Sequence, residues 1–375
     1  MKYTNIILLT SLMLSGSSCS KQPPPGNHIH FLKFYSFAAL GDICATPDNG
    51  FLAFNTTVTS LISVCHLTKF DQYGNKSWDK IIPGINSLGF MHLIDHYLYI
   101  AGHNNSGSSN SVIYKSDLDG NIIWQCSKSN FSVNSVCTAK NHETFLAGLT
   151  PSGYTKFIRL NDSGKTVFMD TLSGHTSSFP LITNCNDHYL FTCAYFDLAL
   201  FAPYFEINII DSMGNILSTN RIKAMTGDAY ASELMQVSES RFLYLTLIPS
   251  DTGGSSVLQN AYILDSNLNI TNSHILGKIP TVNTIQSALC QTTDGGYLLA
   301  GTTVSVYGSG ISLSKFDAGF NLQWNKKFGE NFVSHGGSAI QTTDGSCLVS
   351  GLTIDAGQGK ISNIFVKTDA NGDIK

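Results

Sequence analysis

Gln291–Gly301 reads QTTDGGYLLAG, and fifty residues on Gln341–Gly351 reads QTTDGSCLVSG. Each copy is followed by a second shared pattern, LSKFDAGFNLQW from Leu313 and FVKTDANGDIK from Phe365 to the last residue. Weaker copies of both markers recur back to residue 30. The first is a turn leading into an apolar strand: DNGFLAF at Asp48, HYLYIAG at His96, ETFLAG at Glu143, HYLFTCA at His188 and RFLYLTL at Arg241. The second is a D-x-x-G-like turn, at Asp71/Gly74, Asp117/Gly120, Asn161/Gly164, Asp211/Gly214, Asp265/Leu268, Asp317/Phe320 and Asp369/Gly372. Their first residues lie 46, 44, 50, 54, 52 and 52 positions apart. Seven units of that period predict an all-β, seven-bladed β-propeller with four antiparallel strands per blade. Helical repeats of this length would not carry two Gly/Asn/Asp turns each.

The strands of one blade are legible in the sixth unit, where IQSALCQTT, GYLLAGTTV, ISLSKFD and LQWNKKF follow one another. Asp294-Gly295-Gly296 supplies the positive-φ geometry of a tight hairpin. The inner strands read as nearly continuous apolar runs, whereas the third and fourth alternate. Trp78, Trp124 and Trp324 each fall seven residues after the turn Asp, and Phe168 fills that slot after Asn161. Packing of blade against blade selects such an aromatic, and no cofactor is needed to explain it.

The ends of the chain complement each other. The seventh unit stops at Gly372-Asp373-Ile374-Lys375, where its fourth strand should begin, while His30–Tyr35 precedes the first unit without a unit of its own. Residues 30–36 are therefore expected to pair as the outer strand of the last blade, closing the ring and removing its open edges.

Composition fits this reading. Charged residues are only 13% of the chain, with Gly and uncharged polar residues in their place, which suits short strands and turns rather than long surface helices. A net charge of −4 argues against a nucleic-acid surface. Residues 1–18 read as a lipoprotein signal peptide: Lys2, an apolar run from Ile6 to Leu14, then Gly16-Ser17-Ser18 before Cys19. Cys19 is the expected lipidation site and residues 19–29, with Pro23-Pro24-Pro25, a stiff tether. The apolar run is too short for a permanent span. Cys44, Cys137 and Cys290 each stand four residues before Asp48, Asn141 and Asp294, which marks a recurring small buried slot rather than a disulfide framework. No C-x-x-C pair suggests zinc.

Repeats of the form QTTDGGYLLAGTT…LSKFDAGFNLQWNKKFG resemble the tandem propeller repeats of many exported Bacteroidetes proteins, over residues 30–375. The D-x-x-G-x-x-x-W element, as in Asp117 to Trp124, also resembles the quinoprotein-type (PQQ) repeat. That family includes dehydrogenases and an outer-membrane assembly lipoprotein without enzymatic activity, so the resemblance carries no function across.

The expected blade-to-blade connections offer candidate ligand-binding residues: Met91 and His92, His175, then Asp228, Tyr230 and Glu233, then Phe332 and His335. His175, Asp228, Tyr230, Glu233, Phe332 and His335 form the ligand-binding set, with Asp228 and Glu233 as its acidic pair. The longest second-to-third connections are expected at Ala194–Pro203 and Ile248–Asn260. His66, His96 and His188 fall at strand positions and read as structural. No G-x-S-x-G, H-E-x-x-H or P-loop occurs, and the Asp-rich turns lack the Glu that completes a calcium loop. The expectation is a monomeric, lipid-anchored module at the bacterial outer membrane that binds a glycan or an envelope protein, without cofactor or metal. The alternative is a polysaccharide hydrolase or lyase with its site at the channel mouth. A quinone-dependent dehydrogenase ranks behind both.

Overall fold

The structure, a computed structural model, describes residues 30–59, 62–104, 110–138, 142–185, 187–197, 202–223, 230–249, 256–280, 288–305, 308–329, 333–355 and 360–374. Every named element among them is a β-strand. From inner to outer strand, blade 1 is Ala39–Ala45, Phe51–Thr59, Ile62–Phe70 and Lys76–Ile81, and blade 2 is Ser87–Ile94, Tyr97–His103, Ser111–Ser116 and Ile122–Lys128. Blade 3 comprises Ser132–Thr138, Thr144–Leu149, Tyr154–Leu160 and the first part of Thr166–Cys185. That strand runs on without a break to become the inner strand of blade 4, ahead of His188–Asp197, Ala202–Ile210 and Ile216–Lys223. Blade 5 is Tyr230–Ser238, Arg241–Pro249, Ser256–Asp265 and Ile270–Pro280. Blade 6 is Leu289–Gln291, Tyr297–Ser305, Gly308–Phe316 and Leu322–Phe328. Blade 7 takes Val333–Gln341, Cys347–Asp355 and Lys360–Thr368, and its fourth strand is Phe31–Tyr35, antiparallel to Lys360–Thr368 with Phe31 opposite Lys367 and Tyr35 opposite Asn363. The chain is thus a seven-bladed β-propeller closed by its N-terminal strand.

The seven D-x-x-G-like turns share one geometry. The side chain of the first residue accepts the backbone N–H four positions on, from Asn75 in blade 1 to Asp373 in blade 7. This requires Asp or Asn at that place. The fourth residue takes φ between 64° and 80°, and in five blades it is Gly. Its lack of a side chain is used twice over. A Cβ on Gly74, Gly120, Gly164 or Gly372 would lie 2.6–3.0 Å from the ring of Phe31, Trp78, Trp124 or Trp324 on the preceding blade. The exchange reverses where the preceding outer strand offers Ser218 or Asn272 instead of an aromatic. There the turn residue becomes Leu268 or Phe320, both buried, at the strain of a positive φ on a bulky side chain. Phe320 stacks on Tyr297 at 4.5 Å and on His274 at 5.0 Å. Small faces large around the ring, and that complementarity sets blade spacing.

A second recurrent device joins the first hairpin of blades 1, 6 and 7 to the third strand. In Thr46-x-Asp48, Thr292-x-Asp294 and Thr342-x-Asp344 the Thr hydroxyl donates to the carboxylate at 2.5, 2.5 and 2.6 Å. Buried Lys69, Lys315 and Lys367, each two residues before the next turn Asp, pair with those carboxylates at 2.6, 2.8 and 3.1 Å. Blades 4 and 5 carry Ile209 and Ile263 at the Lys position. Their first hairpins close more tightly, with Cys185 pairing His188 and Ser238 pairing Arg241.

Several sequence expectations are corrected. The third strand does not alternate: Ser111–Ser116 is buried throughout, because blades cover both faces of the sheet there. The inner strand is the one with mixed exposure, since its edge borders the channel. Ala194–Pro203 and Ile248–Asn260 are mostly paired strand, with Asp197 opposite Ala202 and Pro249 opposite Val257; only 198–201 and 250–255 lie outside the described residues. His96 sits in the Asp95–His96 turn at φ 67°, not on a strand. Cys44, Cys137 and Cys290 do occupy one register position, opposite Leu52, Phe145 and Leu298, and are free thiols.

Candidate functional site in the propeller channel

Inner strands of a propeller have one edge without a partner, so their polar groups look into the central channel. Here the ladder between the inner strand and its neighbour shifts register at the same level in six blades: between Leu40 and Ile43, Leu88 and Phe90, Val133 and Ser135, Ser178 and Leu181, Ala231 and Glu233, and Gly336 and Ala339. Such bulges bend a strand and re-aim its side chains. The residues delivered at that level in the first five blades are Asp42, Phe90, Ser135, Leu181 and Glu233. Two residues on come Cys44, His92, Cys137, Thr183 and Met235.

All of these except Cys44 border one cavity of about 560 Å³, which Asn134, Thr138, Asn184 and Gln236 also line. That volume lies in the range of small-molecule sites. Its lining comes from the inner strands of blades 1 to 5 and contains no Lys or Arg among the described residues.

Two side chains bridge neighbouring inner strands. Asp42 accepts the backbone N–H of Met91, on the next blade, at 2.8 Å. Ser135 Oγ accepts the N–H of Ile182 at 3.2 Å and donates to the Ile182 carbonyl at 3.3 Å. Glu233 is the equivalent residue of blade 5, and no described residue hydrogen-bonds its carboxyl. Asp42, His92 and Glu233 are partly buried and border the cavity. Burial pushes the Glu233 carboxyl up to about 8, with the negative charge of Asp42 adding to it. Burial also raises Asp42, against the opposing pull of His92 and the Met91 N–H. His92 is lowered by burial, partly offset by Asp42. At neutral pH the channel therefore holds an uncharged imidazole and a Glu that keeps its proton. Asn134 and Asn184 each have a buried Oδ1 without a hydrogen-bond partner among the described residues.

The structure distributes the sequence-derived candidates differently from the expectation. Met91, His92, His175, Tyr230, Glu233 and His335 lie on strands, not in connections, because the inner strands extend further than the turn markers imply and Thr166–Cys185 has no connection at all. Glu233 and His92 meet at the channel cavity; Tyr230 and His335 fall near the start of their inner strands, and His175 lies where one strand passes from blade 3 to blade 4. Asp228 and Phe332 lie outside the described residues. The carboxyl that Glu233 shares its environment with is Asp42, which the sequence reading missed. Its signal was an Asp inside an otherwise apolar inner strand, LGDICA. No group of three His, Cys, Asp or Glu suited to a metal ion occurs among the described residues.

No family model matches the chain, and no curated protein matches it. Solved structures do. A polysaccharide lyase of the PL25 ulvan lyase family, bound to a GlcA–Rha3S unit, aligns with a TM-score of 0.57 at 10% identity, covering 90% of this chain and 96% of that one. The Dos1 propeller aligns at 0.48 with 12% identity, covering 90% and 94%. A subtype N10 neuraminidase-like protein aligns at 0.41 with 10% identity, covering 92% and 95%. At these identities the likeness is one of fold.

Proposed function

We propose that this chain is an exported, lipid-anchored propeller that binds a glycan in its channel at the bacterial outer membrane. The observation that carries the reading is the channel cavity of about 560 Å³, into which two carboxyls, a neutral imidazole, hydroxyls and side-chain amides converge from five blades. Sugars are recognised by many such polar partners at once, and a cavity of this size admits a short glycan but not a protein face. The leader pattern ending at Cys19 supports the anchor. Two experiments test the parts separately. Cys19→Ala should move the protein out of the membrane fraction, and unchanged fractionation would contradict the anchor. A glycan-array screen of residues 30–375 should return binders that a Glu233→Gln variant loses; binders indifferent to that change would place the site elsewhere.

A second reading is favoured by one specific observation. Asp42 and Glu233 are two carboxyls in one electrostatic environment, and Glu233 holds its proton at neutral pH, as a general acid must. The same fold serves the PL25 ulvan lyase. Under this reading the chain cleaves a polysaccharide at the channel. Lyase action requires abstracting a proton beside a uronate carboxylate, and the described lining offers no cation to neutralise that carboxylate. Hydrolysis is therefore the form of catalysis to assay first. New reducing ends released by wild type and abolished in Glu233→Gln would establish it; a glycan bound and recovered intact would leave the binding reading.

A further inference from the structure

The channel cavity is unbalanced in charge and in hydrogen-bonding capacity. Its described lining brings the carboxyls of Asp42 and Glu233 together with the amides of Asn134, Asn184 and Gln236 and the hydroxyls of Ser135, Thr138 and Thr183. No Lys or Arg among the described lining residues faces the two acids. Among the described residues Asp42 is held by a single backbone N–H, from Met91, and Glu233 by no donor. The Oδ1 atoms of Asn134 and Asn184, without a partner among the described residues, are a second, independent sign of missing donors. Because the two ends of a side-chain amide are isosteric, a half-turn can present either the oxygen or the NH2 to an occupant. A ligand that completes this site must bring donors, and one positive charge.

We propose that the cavity selects a glycan unit bearing a free, protonated amine, that is, a de-N-acetylated hexosamine, with the ammonium between Asp42 and Glu233. The inference rests on the channel reading above and narrows its ligand. An ammonium beside a buried carboxylate forms a charge-assisted hydrogen bond about twice as strong as a neutral one. Acetylation removes the charge and two of the three donors. A uronic acid would add a third acidic group to a cavity that already holds two, which the low local dielectric penalises. His92 and Phe90, with ring centroids 5.0 Å apart, form the less polar wall against which the carbon face of the sugar rests.

The test is calorimetric titration of residues 30–375 with a glucosamine trimer and with the N-acetylglucosamine trimer of the same length. The amine form is expected to bind at least about tenfold more tightly. Asp42→Asn and Glu233→Gln keep shape while removing a carboxyl that can ionise beside the ammonium, and each should cut that preference to about threefold or less. Asp119→Asn, on an exposed turn, should leave it intact and so excludes general attraction of a cation to an acidic protein. Melting curves verify that each variant is folded. Equal affinity for the two trimers, or preference for the acetylated one, would overturn the amine assignment while leaving a glycan-binding channel. Failure of both trimers to bind at millimolar concentration would overturn the assignment and the glycan reading together.

Discussion

Removing the ring of Phe31 should destabilise the whole propeller, although Phe31 belongs to a five-residue strand at the start of the described chain. Its side chain is 7% exposed and joins the cluster of Phe51, Phe70, Leu348 and Phe365 that seals blade 7 against blade 1. The ring also covers Gly74, where a Cβ would come within 2.6 Å of it. Truncating a buried Phe to Ala costs about 3–5 kcal/mol in transfer and cavity terms. Unfolding entropy of about 2.1 cal/mol/K per residue gives roughly 0.7 kcal/mol/K for a cooperative domain of this length. The melting temperature of Phe31→Ala should therefore fall by about 4–7 °C. Phe34 supplies the control, because it lies on the same strand but is 48% exposed. Differential scanning calorimetry of residues 30–375 reads both variants. Equal shifts for Phe31→Ala and Phe34→Ala would refute the claim that this strand latches the ring through its buried face. Deleting residues 19–29 alone should leave the melting temperature unchanged, whereas deleting 30–36 should also promote aggregation by baring the edge of Lys360–Thr368.

Other perturbations test other contacts. Glu233 keeps its proton to about pH 8 in the folded chain, whereas an unfolded Glu loses it near 4.3, so the native state binds the extra proton between those values. Wild-type stability should consequently fall as pH rises through that window. Glu233→Gln should flatten the slope and gain about 1–3 kcal/mol at pH 8.5, a figure discounted for water in the cavity; parallel wild-type and variant profiles in chemical denaturation would contradict the shift. Asp344 behaves oppositely. Burial alone would raise it, but the Thr342 hydroxyl, the Ser346 N–H and Lys367 hold its carboxyl well below the usual range. Its contribution is present at neutral pH and is lost as pH falls below about 4. Asp344→Asn leaves buried Lys367 without its counter-charge and should cost about 3–5 kcal/mol at pH 7, narrowing on acidification. Gly164→Ala should cost at least about 1 kcal/mol more than Gly84→Ala. Both residues have positive φ, but only Gly164 would push a Cβ against Trp124, at 2.9 Å. Equal losses by denaturant titration would remove Trp124 as the reason for the glycine.

The repeat was readable because its turns are chemically demanding. An Asp at the first position and a positive φ at the fourth leave few residue choices, so Asp71, Asp117 and their equivalents announce themselves through seven diverged units. Ring closure was readable for the same kind of reason: a blade cannot end at its third strand, and the segment from His30 matched the deficit. The Lys–Asp latches were not, because Lys69 and Asp48 are 21 residues apart and a buried lysine looks like surface until the third strand is known to be covered on both faces. The channel was half legible. Glu233 was singled out among the connections, but its neighbour there is Asp42 of blade 1, and that pairing depends on bulges that bend the inner strands. Bulges follow from the extra residue in one strand of a ladder, which no single strand reveals. Turn chemistry is local and survives in one sequence; the channel is assembled from five blades.

Methionine methyl groups offer the most direct test that the channel is where a glycan binds. Met235 borders the cavity, while Met169 and Met213 are exposed at 56% and 49% on the outside of the ring. In residues 30–375 carrying ¹³C-methyl methionine, adding the glucosamine trimer should shift the Met235 resonance and leave Met169 and Met213 in place. Movement of Met169 or Met213 with Met235 unchanged would put the ligand on the outside of the ring and contradict a channel site.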